Sequence, residues 1–276
     1  MLVDAHHHVW TIARGDYDWL TPDLPIHRDY GLDDLRPLLD GTTATVLVQA
    51  AATEAETRFM LDTAHASAGL VRAVVGWTDL ATSDAPARIA ALAADPLLKG
   101  LRPMLQDIVD TDWILRSDVG TGLRAMQAHG LQLDLLVKPR HLAILPTLAA
   151  RHPDLPMVIG HGAKPDIAGG GFAPWAAGMA RLARETAWCC KLSGLVTEAA
   201  PGSTADDLRP YVDHLLATFG PDRLMWGSDW PVVNLAGGYN AWREAAHALV
   251  PAVAHAAIFG GTAARFYAID VPAAVK

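Results

Sequence analysis

Eight short apolar runs recur along the 276-residue chain, separated by Ala/Leu-rich segments of helical period. The runs are Leu2–His8, Ala44–Ala51, Val71–Leu80, Leu98–Leu105, Leu131–Pro139, Pro156–Gly162, Ala187–Leu195 and Arg223–Pro231. Helices are predicted at Glu54–Ala68, Ala85–Ala94, Gly120–His129, Leu142–Arg151, Pro174–Glu185 and Leu208–Phe219. Alternation of strands with helices predicts parallel crossovers and a sheet covered on both faces. Eight such units predict an α/β fold, the (β/α)8 TIM barrel, with a doubly wound open sheet as the alternative.

Polar side chains stand at or just beyond the ends of these runs. They are His6 and His8, Trp77 and Asp79, Arg102, Lys138, His161, Ser193 and Asp229. In a barrel the carboxyl ends of the strands converge on the catalytic face, whereas in an open sheet they spread along a line, so a shared site favours the barrel. Because no linker or repeat is visible, we expect a single domain over residues 1–276. Long loops at Thr11–Asp40 and Gly169–Phe172 are expected to form walls or lids.

The composition excludes several classes of partner. With 22 basic and 30 acidic residues, a net charge of −8 and no basic stripe, the chain is not expected to bind nucleic acid. Neither a transmembrane stretch nor a signal peptide is visible, so no membrane partner is expected. The adjacent Cys189 and Cys190 point to opposite faces of a strand, which disfavours a disulfide and suits a cytoplasmic location. The oligomeric state stays open, a homo-oligomer included.

The triplet His6-His7-His8 places two imidazoles on one face of the first strand. Residues two apart in a strand point the same way, so His6 and His8 share a face and His7 opposes them. Two imidazoles near a strand end can hold a divalent metal or polarise a substrate oxygen. A tag remnant or a polar strand end is the alternative, although the triplet directly continues Val3-Asp4-Ala5.

Two later segments supply candidates for acid–base chemistry. His161 is flanked by Gly160 and Gly162, which leave room for a ligand, with a hydrogen-bonded loop histidine as the alternative. Asp229 follows Gly-Ser and precedes Trp230, and an aspartate in such an aromatic setting can act as a general base. A helix N-cap or a turn is the alternative for this segment. Asp229 is the strongest single candidate for a catalytic residue.

Other residues near strand ends are candidates for substrate binding. Arg102 can bind a carbonyl or a carboxylate through its fork of donors, or form a surface salt bridge instead. The further candidates are Gln49, Trp77, Asp79, Gln106, Lys164 and Trp230. Asp79 could equally cap a helix, and Trp77 could belong to the core. Lys138 could bind an anion, be carbamylated as a metal bridge, or simply be solvated.

Seven short motifs are spread over nearly the whole chain. They are Val3-Asp4-Ala5-His6-His7-His8-Val9-Trp10, Val48-Gln49-Ala50-Ala51, Gly76-Trp77-Thr78-Asp79-Leu80, Gly100-Leu101-Arg102, Gly160-His161-Gly162-Ala163-Lys164-Pro165, Lys191-Leu192-Ser193-Gly194 and Gly227-Ser228-Asp229-Trp230-Pro231. As an ordered set they resemble the amidohydrolase superfamily, in the branch that holds sugar lactonases and the pyrone dicarboxylate hydrolase. The resemblance implies a (β/α)8 barrel that hydrolyses a lactone.

The resemblance also implies roles for single residues. The matched positions are His6 and His8 as the first-strand metal pair, His161 as the sixth-strand histidine, Asp229 as the eighth-strand base and metal ligand, and Arg102 as a substrate-binding arginine. The wider superfamily completes a two-metal site with a further histidine and often a carbamylated lysine, whereas the fifth run here ends at Lys138-Pro139. We therefore expect one divalent ion, zinc, on His6, His8 and Asp229, although members of this branch also work without metal.

These roles predict a lactonase, a carboxylic ester hydrolase of carbohydrate metabolism. Asp229 would take a proton from water, which attacks the lactone carbonyl. That carbonyl would be polarised by His161 and Arg102, together with the first-strand histidines or a zinc ion on them. We expect a sugar-acid lactone, such as a fucono-, galactono- or rhamnono-lactone, as the small-molecule partner.

Three alternative functions stay open. A pyrone or muconolactone hydrolase shares the fold, but its carboxylated substrates call for several strand-end arginines, and only Arg102, with Arg140 less certain, is present. A metal-dependent decarboxylase of an aromatic or muconate-type acid shares the fold and the histidine pair. A non-catalytic sugar-binding protein would not need a strand-end aspartate that faces paired histidines.

Overall fold

The computed structural model describes residues 2–270, and each of the eight predicted runs overlaps a β-strand in it. The strands are β1 (Leu2–His7), β2 (Thr42–Val48), β3 (Val71–Gly76), β4 (Leu98–Leu101), β5 (Gln132–Leu135), β6 (Met157–Ile159), β7 (Cys189–Leu192) and β8 (Leu224–Trp226). They form one sheet in chain order, and every neighbouring pair from β1 to β8 is parallel. Apolar residues fill these strands because both faces of the sheet are covered.

The segment after β8 closes the sheet onto β1. The amide of His8 donates to the carbonyl oxygen of Trp230 at 2.7 Å, and the amide of Asp229 donates to that of His6 at 2.8 Å. His7 and Trp230 form a parallel bridge in the same place. We call this contact between residues 6–8 and 229–230 the closing seam. It confirms the predicted (β/α)8 barrel against the open sheet.

Helices cover the outside of the barrel. They are α1 (Leu32–Leu35), α2 (Glu54–Ala66), α3 (Ala85–Ala93), α4 (Ser117–Ala128), α5 (Leu145–Arg151), α6 (Phe172–Glu185), α7 (Ala205–Phe219), α8 (Tyr239–Leu249) and α9 (Thr262–Phe266). The six predicted helices correspond to α2–α7, whereas α1, α8 and α9 were not predicted. Within residues 2–270 no single helix is long and apolar enough to cross a membrane, and only one pair, Tyr239–Leu249 with Ala252–Phe266, bent by 113°, passes that test jointly.

Several elements start or end a few residues away from their predicted bounds, because polar groups set those ends. β3 ends at Gly76, since the next amide, that of Trp77, donates to Thr57 Oγ1 in α2 at 2.7 Å. α7 begins at Ala205, earlier than predicted, because Thr204 and Asp207 form a capping box, with Thr204 N donating to Asp207 Oδ2 at 2.7 Å.

Alternate residues of the strands face two apolar layers. In β2, Leu47 packs in the larger cluster, between the sheet and the helices, while Val46 and Val48 join a smaller one. The smaller cluster fills the centre of the barrel, as the two-residue period of a strand requires. It includes Val3 near the start of β1 and Tyr267 just after α9. The chain after β8 therefore closes the amino end of the barrel, and the site lies at the carboxyl end.

Candidate active site

Three histidines surround one carboxylate oxygen at the carboxyl end of the barrel. Asp229 Oδ1 lies 3.3 Å from His8 Nε2, 3.6 Å from His6 Nε2 and 3.8 Å from His161 Nε2. None of the four residues is more than 5% exposed. The structure thus brings together the four residues that the sequence analysis placed at the ends of β1, β6 and β8.

Left-handed backbone positions two of these side chains. The φ angle is 59° at Asp229 and 50° at His161, a conformation that costs a residue with a side chain on the order of 1–3 kcal/mol. The amide of Asp229 belongs to the closing seam, so barrel closure helps to fix the carboxylate. At Gly194 a Cβ would lie 2.5 Å from His161 Nδ1, and φ is +64°. Only glycine leaves His161 its present place.

Two of the histidines are oriented through their Nδ1 atoms. His8 Nδ1 donates to the carbonyl oxygen of Val48 at 2.7 Å, so Nε2 of the neutral ring carries a lone pair. His161 Nδ1 lies 2.9 Å from Ser193 Oγ, a hydroxyl that can accept a hydrogen bond in the same way. Both rings therefore present Nε2 to Asp229.

The protonation states follow from burial and from the neighbouring groups. Burial lowers the pKa of His161 to about 3 and also lowers the pKa of His8, so both rings are neutral near pH 7. Burial alone would raise the pKa of Asp229, but the neighbouring His161 and His8 outweigh it and lower that pKa to about 2. Asp229 is therefore a carboxylate next to neutral imidazoles.

This donor set fits a divalent metal ion. Ligand atoms of His6, His161 and Asp229 lie within 4.8 Å of one another, and His8 Nε2 faces Asp229 Oδ1, acceptor to acceptor. Imidazole nitrogen and carboxylate oxygen are the ligands that zinc takes in proteins. The outer hydrogen bonds of His8 and His161 are of the kind that orient ligating histidines.

A buried ion pair lies beneath His6, and the sequence analysis missed it. Lys191 Nζ, fully buried on β7, lies 2.7 Å from Asp134 Oδ2 and 3.3 Å from His6 Nδ1. The hydroxyl of Tyr267 donates to Asp134, with its oxygen 2.8 and 3.0 Å from the two carboxylate oxygens. A signal was present in the sequence, because Lys191 stands two residues before Ser193 and hence on the same face of the strand.

Arg102 is held from behind by Gln49. The Arg102 guanidinium donates through Nη2 to the backbone carbonyl of Gln49, and Gln49 Nε2 donates to the carbonyl oxygen of Arg102 at 2.8 Å. Arg102 Nη1 lies 3.4 Å from His6 Nε2, and Nε has no hydrogen-bond partner among the described residues. Spare donors of a buried guanidinium therefore remain beside the cavity for a substrate oxygen.

Three of the four central residues, His8, His161 and Asp229, line a cavity of about 400 Å³, a size suited to a small ligand. Its lining is His8, Trp19, Leu24, Ala50, Arg102, Met104, Gln106, Asp107, Leu136, His161, Lys164, Thr197, Glu198, Asp229, Val232 and Leu235. Lys164 Nζ pairs with Glu198 Oε1 at 2.8 Å on the wall. The cavity thus combines apolar surface with charged groups that can bind hydroxyls.

Residues 3–269 match the sequence model of the family described as amidohydrolase. The chain belongs to the amidohydrolase family. An L-fucono-1,5-lactonase from Burkholderia ambifaria is 46% identical to it over 280 residues, 98% of this chain and 96% of that protein. An L-fucono-1,5-lactonase from Burkholderia multivorans is 37% identical over 292 residues, 98% and 97% of the two chains. A crystal structure of an amidohydrolase from B. multivorans with bound zinc superposes with a TM-score of 0.91 at 37% identity, covering 98% of this chain and 100% of that one.

In this amidohydrolase the predicted substrate-binding residues separate into two groups. Arg102, Gln106 and Lys164 line the cavity. Gln49 is fully buried behind Arg102 and acts on the site through it. Trp19 and Glu198 are lining residues that the sequence analysis missed; only the position of Trp19 in the loop predicted at Thr11–Asp40 pointed to it.

The structure does not bring the remaining candidates to the cavity. Asp79 Oδ1 accepts from the amide of Ala81 at 2.9 Å and so supports a turn, whereas its alternative interpretation was a helix cap and Asp84 occupies the N-cap position of α3. Trp230 is buried and packs edge-on against Tyr30, with ring centroids 5.3 Å apart. Trp77 is half-buried outside the lining, and Lys138 is exposed. In each case the sequence places the residue near a strand end without showing where its side chain points.

Proposed function

We propose that this amidohydrolase hydrolyses a sugar-acid 1,5-lactone, with L-fucono-1,5-lactone as the first candidate, to the aldonic acid. The observation that carries the proposal is the Asp229 carboxylate, held among three neutral histidines at a cavity of about 400 Å³. The two L-fucono-1,5-lactonases that are 46% and 37% identical over nearly the whole chain support this substrate.

The residues of the chain have distinct roles in this proposal. Asp229 removes a proton from the water that attacks the lactone carbonyl, and returns it to the ring oxygen when that oxygen leaves as an alcohol. Arg102 donates hydrogen bonds to the oxyanion from a buried position, where such bonds are strongest. A divalent ion, zinc by analogy with the zinc-bound relative, would be held by Asp229 and the histidines and would supply Lewis-acid polarisation.

The arginines favour a lactone without carboxylates. Arg102 is the one arginine in the cavity lining among the described residues. Arg140, the less certain second candidate, donates instead to the carbonyl oxygens of Ile108 at 2.7 Å and Val109 at 3.1 Å and to Thr111 Oγ1 at 3.0 Å. A pyrone dicarboxylate would need more than one free guanidinium, so the geometry supports a neutral sugar lactone.

A panel of aldonolactones with a pH indicator tests the proposal, with and without a metal chelator. We expect acid release from L-fucono-1,5-lactone. Acid release from none of the lactones would reject the proposal, and carbon dioxide release from an aromatic acid would favour the decarboxylase.

Asp229→Asn tests the assigned base. Since the amide cannot accept a proton from water, we expect kcat to fall by about 10²–10⁴-fold while the circular dichroism spectrum is retained. Asp222→Asn, an exposed aspartate before β8, is the control and should hydrolyse the lactone like the wild type. Turnover by Asp229→Asn close to that of the wild type would refute its role.

We also propose a cytoplasmic location, which the two free thiols, Cys189 and Cys190, support. Cell fractionation tests it. A homo-oligomer stays a prediction, and light scattering of the purified protein decides it.

A further inference from the structure

One half of the cavity lining is apolar. The segments that follow β8, β1 and β2 are neighbours in the barrel, because the closing seam joins the chain after β8 to β1. Apart from His8 and Asp229, the lining residues that these segments supply within residues 2–270 are apolar. They are Trp19, Leu24, Ala50, Val232 and Leu235, which we call the apolar half.

The segments that follow β4 to β7 supply the other half of the lining. Beyond Arg102 and His161, its polar residues are Gln106, Asp107, Lys164, Thr197 and Glu198, which we call the polar half. Met104 and Leu136 are the apolar residues on this side. Lys164 Nζ pairs with Glu198 Oε1 at 2.8 Å, while Gln106 Oε1 has no hydrogen-bond partner among the described residues. Sugar hydroxyls can donate to such oxygens and accept from the ammonium group.

The apolar half is held in place and is open to a ligand. Trp19 Nε1 donates to the carbonyl oxygen of Ala50 at 2.8 Å, and its ring packs edge-on against Trp10, with ring centroids 5.4 Å apart. Trp19 and Leu235 are nevertheless 38% and 43% exposed, and they are two of the four exposed large hydrophobic residues within 2–270. Exposed apolar surface at a cavity is typical of a surface that a ligand covers.

A sugar-acid 1,5-lactone also has two unlike edges. On one edge the ring oxygen is followed by C5, which carries a methyl group in L-fucono-1,5-lactone and a hydroxymethyl group in L-galactono-1,5-lactone. On the other edge, C2 and C3 carry hydroxyls in both lactones. In the proposed reaction Asp229 returns a proton to the ring oxygen, and Asp229 lies just after β8, where its carbonyl oxygen accepts from the amide of Val233 at 3.0 Å. The edge with the ring oxygen and C5 therefore faces the apolar half.

We propose that the apolar half binds the C5 substituent of the lactone and makes the enzyme selective for a 6-deoxy lactone over its 6-hydroxy counterpart. Val232 and Leu235 are then specificity-determining residues, and Gln106 binds hydroxyls that both lactones share. A hydroxyl against the apolar half would lose its hydrogen bonds to water without a replacement. The inference rests on the proposed lactonase and adds the orientation of the ring and the group that is selected.

Initial rates with freshly prepared L-fucono-1,5-lactone and L-galactono-1,5-lactone measure the selectivity. We expect kcat/KM of the wild type to be about ten- to a hundredfold higher for the fucono lactone, since an apolar wall rejects an added hydroxyl by up to about that factor. Equal kcat/KM for the two lactones would overturn the proposal.

Val232→Thr tests the apolar half with a side chain of the same shape. Its hydroxyl can form a hydrogen bond with the hydroxymethyl group of the galactono lactone, so we expect the ratio of the two kcat/KM values to fall by about fivefold. Val253→Thr is the matched control and should keep the wild-type ratio, since Val253 is 94% exposed and lies outside the lining. A wild-type ratio in both Val232→Thr and Leu235→Asn would refute the role of the apolar half.

Gln106→Leu distinguishes the two halves of the cavity. Because both lactones carry the C2 and C3 hydroxyls, we expect kcat/KM to fall by a similar factor, about five- to tenfold, for each of them and the ratio to stay unchanged. The reverse pattern, in which Gln106→Leu changes the ratio and Val232→Thr does not, would place the C5 substituent in the polar half and overturn the proposal.

The corresponding 1,5-lactams, in which an N–H group replaces the ring oxygen, test the orientation without turnover. An amide resists hydrolysis, so calorimetry measures binding alone. We expect the wild type to bind the fucono lactam about tenfold more tightly than the galactono lactam, and Val232→Thr to lose most of that preference. This preference in a protein that opens no lactone would reject the proposed function alone. Equal affinities for the two lactams, or binding of neither, in a protein that opens L-fucono-1,5-lactone would overturn the orientation alone.

Discussion

The ring of His161 lies against Gly194, whose missing side chain leaves room for it. A Cβ on Gly194 would lie 2.5 Å from His161 Nδ1, and φ is +64°. Gly170 has a similar φ of +72°, but nothing lies within 4 Å of its would-be Cβ. The two glycines share the backbone cost of a substitution, and only Gly194 adds a clash with the site.

Gly194→Ala should therefore displace the His161 ring and lower kcat/KM for the lactone by about a hundredfold, because small misplacements of catalytic groups are that costly. Gly170→Ala is the control and should keep the wild-type kcat/KM, while both variants lose a similar amount of stability. Lactone hydrolysis and thermal melting of the two proteins check this. Equal activity of the two variants would contradict the assigned role of Gly194.

Single residues also show where sequence reasoning ends. His6, His8, His161 and Asp229 could be found because each is a reactive group at the end of a strand, and strand ends converge in a barrel. Lys191 could not be assigned, since its partners, Asp134 and Tyr267, come from distant parts of the chain.

At the scale of elements, the first turn of α2 supports the loop that follows β2. The carboxylate of Glu56 accepts from the amide of Ala50 at 3.0 Å and from that of Ala51 at 2.7 Å. Burial raises the pKa of Glu56 to about 7, although the two amides and Arg102 act in the opposite direction. Because Ala50 lines the cavity, this turn holds part of its wall.

The raised pKa of Glu56 predicts a pH-dependent contribution to stability. In the folded state the Glu56 carboxyl keeps its proton up to about pH 7, whereas its ordinary pKa is 4.5. The protonated side chain therefore contributes fully to the unfolding free energy below pH 4.5, and this contribution is lost as the pH rises through 7. Between pH 5 and pH 8 the unfolding free energy of the wild type should fall by about 2–3 kcal/mol relative to Glu56→Gln. Urea unfolding at pH 5 and at pH 8 measures this change in unfolding free energy, and Glu185→Gln on the surface of α6 is the control. A constant difference between wild type and Glu56→Gln would contradict the prediction.

The elements that sequence reasoning missed have a physical explanation. α9 has five residues and follows a π-helical turn, Ala257–Gly261, that ends in two glycines, the poorest helix formers after proline. Tyr267 and Ala263 of this region pack in the barrel centre, so tertiary contacts outweigh local preference. α2–α7 could be predicted because their apolar faces repeat with the helical period over longer stretches.

For the whole molecule, the number and order of strands could be predicted from apolar runs, because each run is buried on both faces. Barrel closure could be inferred only from the shared function of the strand ends, since no single residue pattern encodes it. The seam joins the end of β1 to residues 229–230, and these residues and Tyr267 both lie after β8. The last part of the chain therefore completes a fold that its first part begins.

Tyr267→Phe tests whether the chain after β8 stabilises the barrel. Its hydroxyl donates to Asp134 in the centre of the barrel, so its loss leaves a buried carboxylate with one partner fewer and should cost about 1–3 kcal/mol of unfolding free energy. Tyr211→Phe in α7 is the control, since the hydroxyl of Tyr211 makes no hydrogen bond to the described residues. Urea unfolding compares the two, and equal stabilities would show that the hydroxyl contributes nothing.

The closing seam has a consequence for how the enzyme would age. The amide of Asp229 and the carbonyl oxygen of His6 form one of its hydrogen bonds, so the residue proposed as general base belongs to the contact that closes the barrel. Any local opening that separates β1 from the segment after β8 moves the Asp229 carboxylate away from His6 and His8. We therefore expect heated or aged preparations to lose turnover before they lose the helical circular dichroism signal, because opening of the seam displaces Asp229 while the helices remain folded.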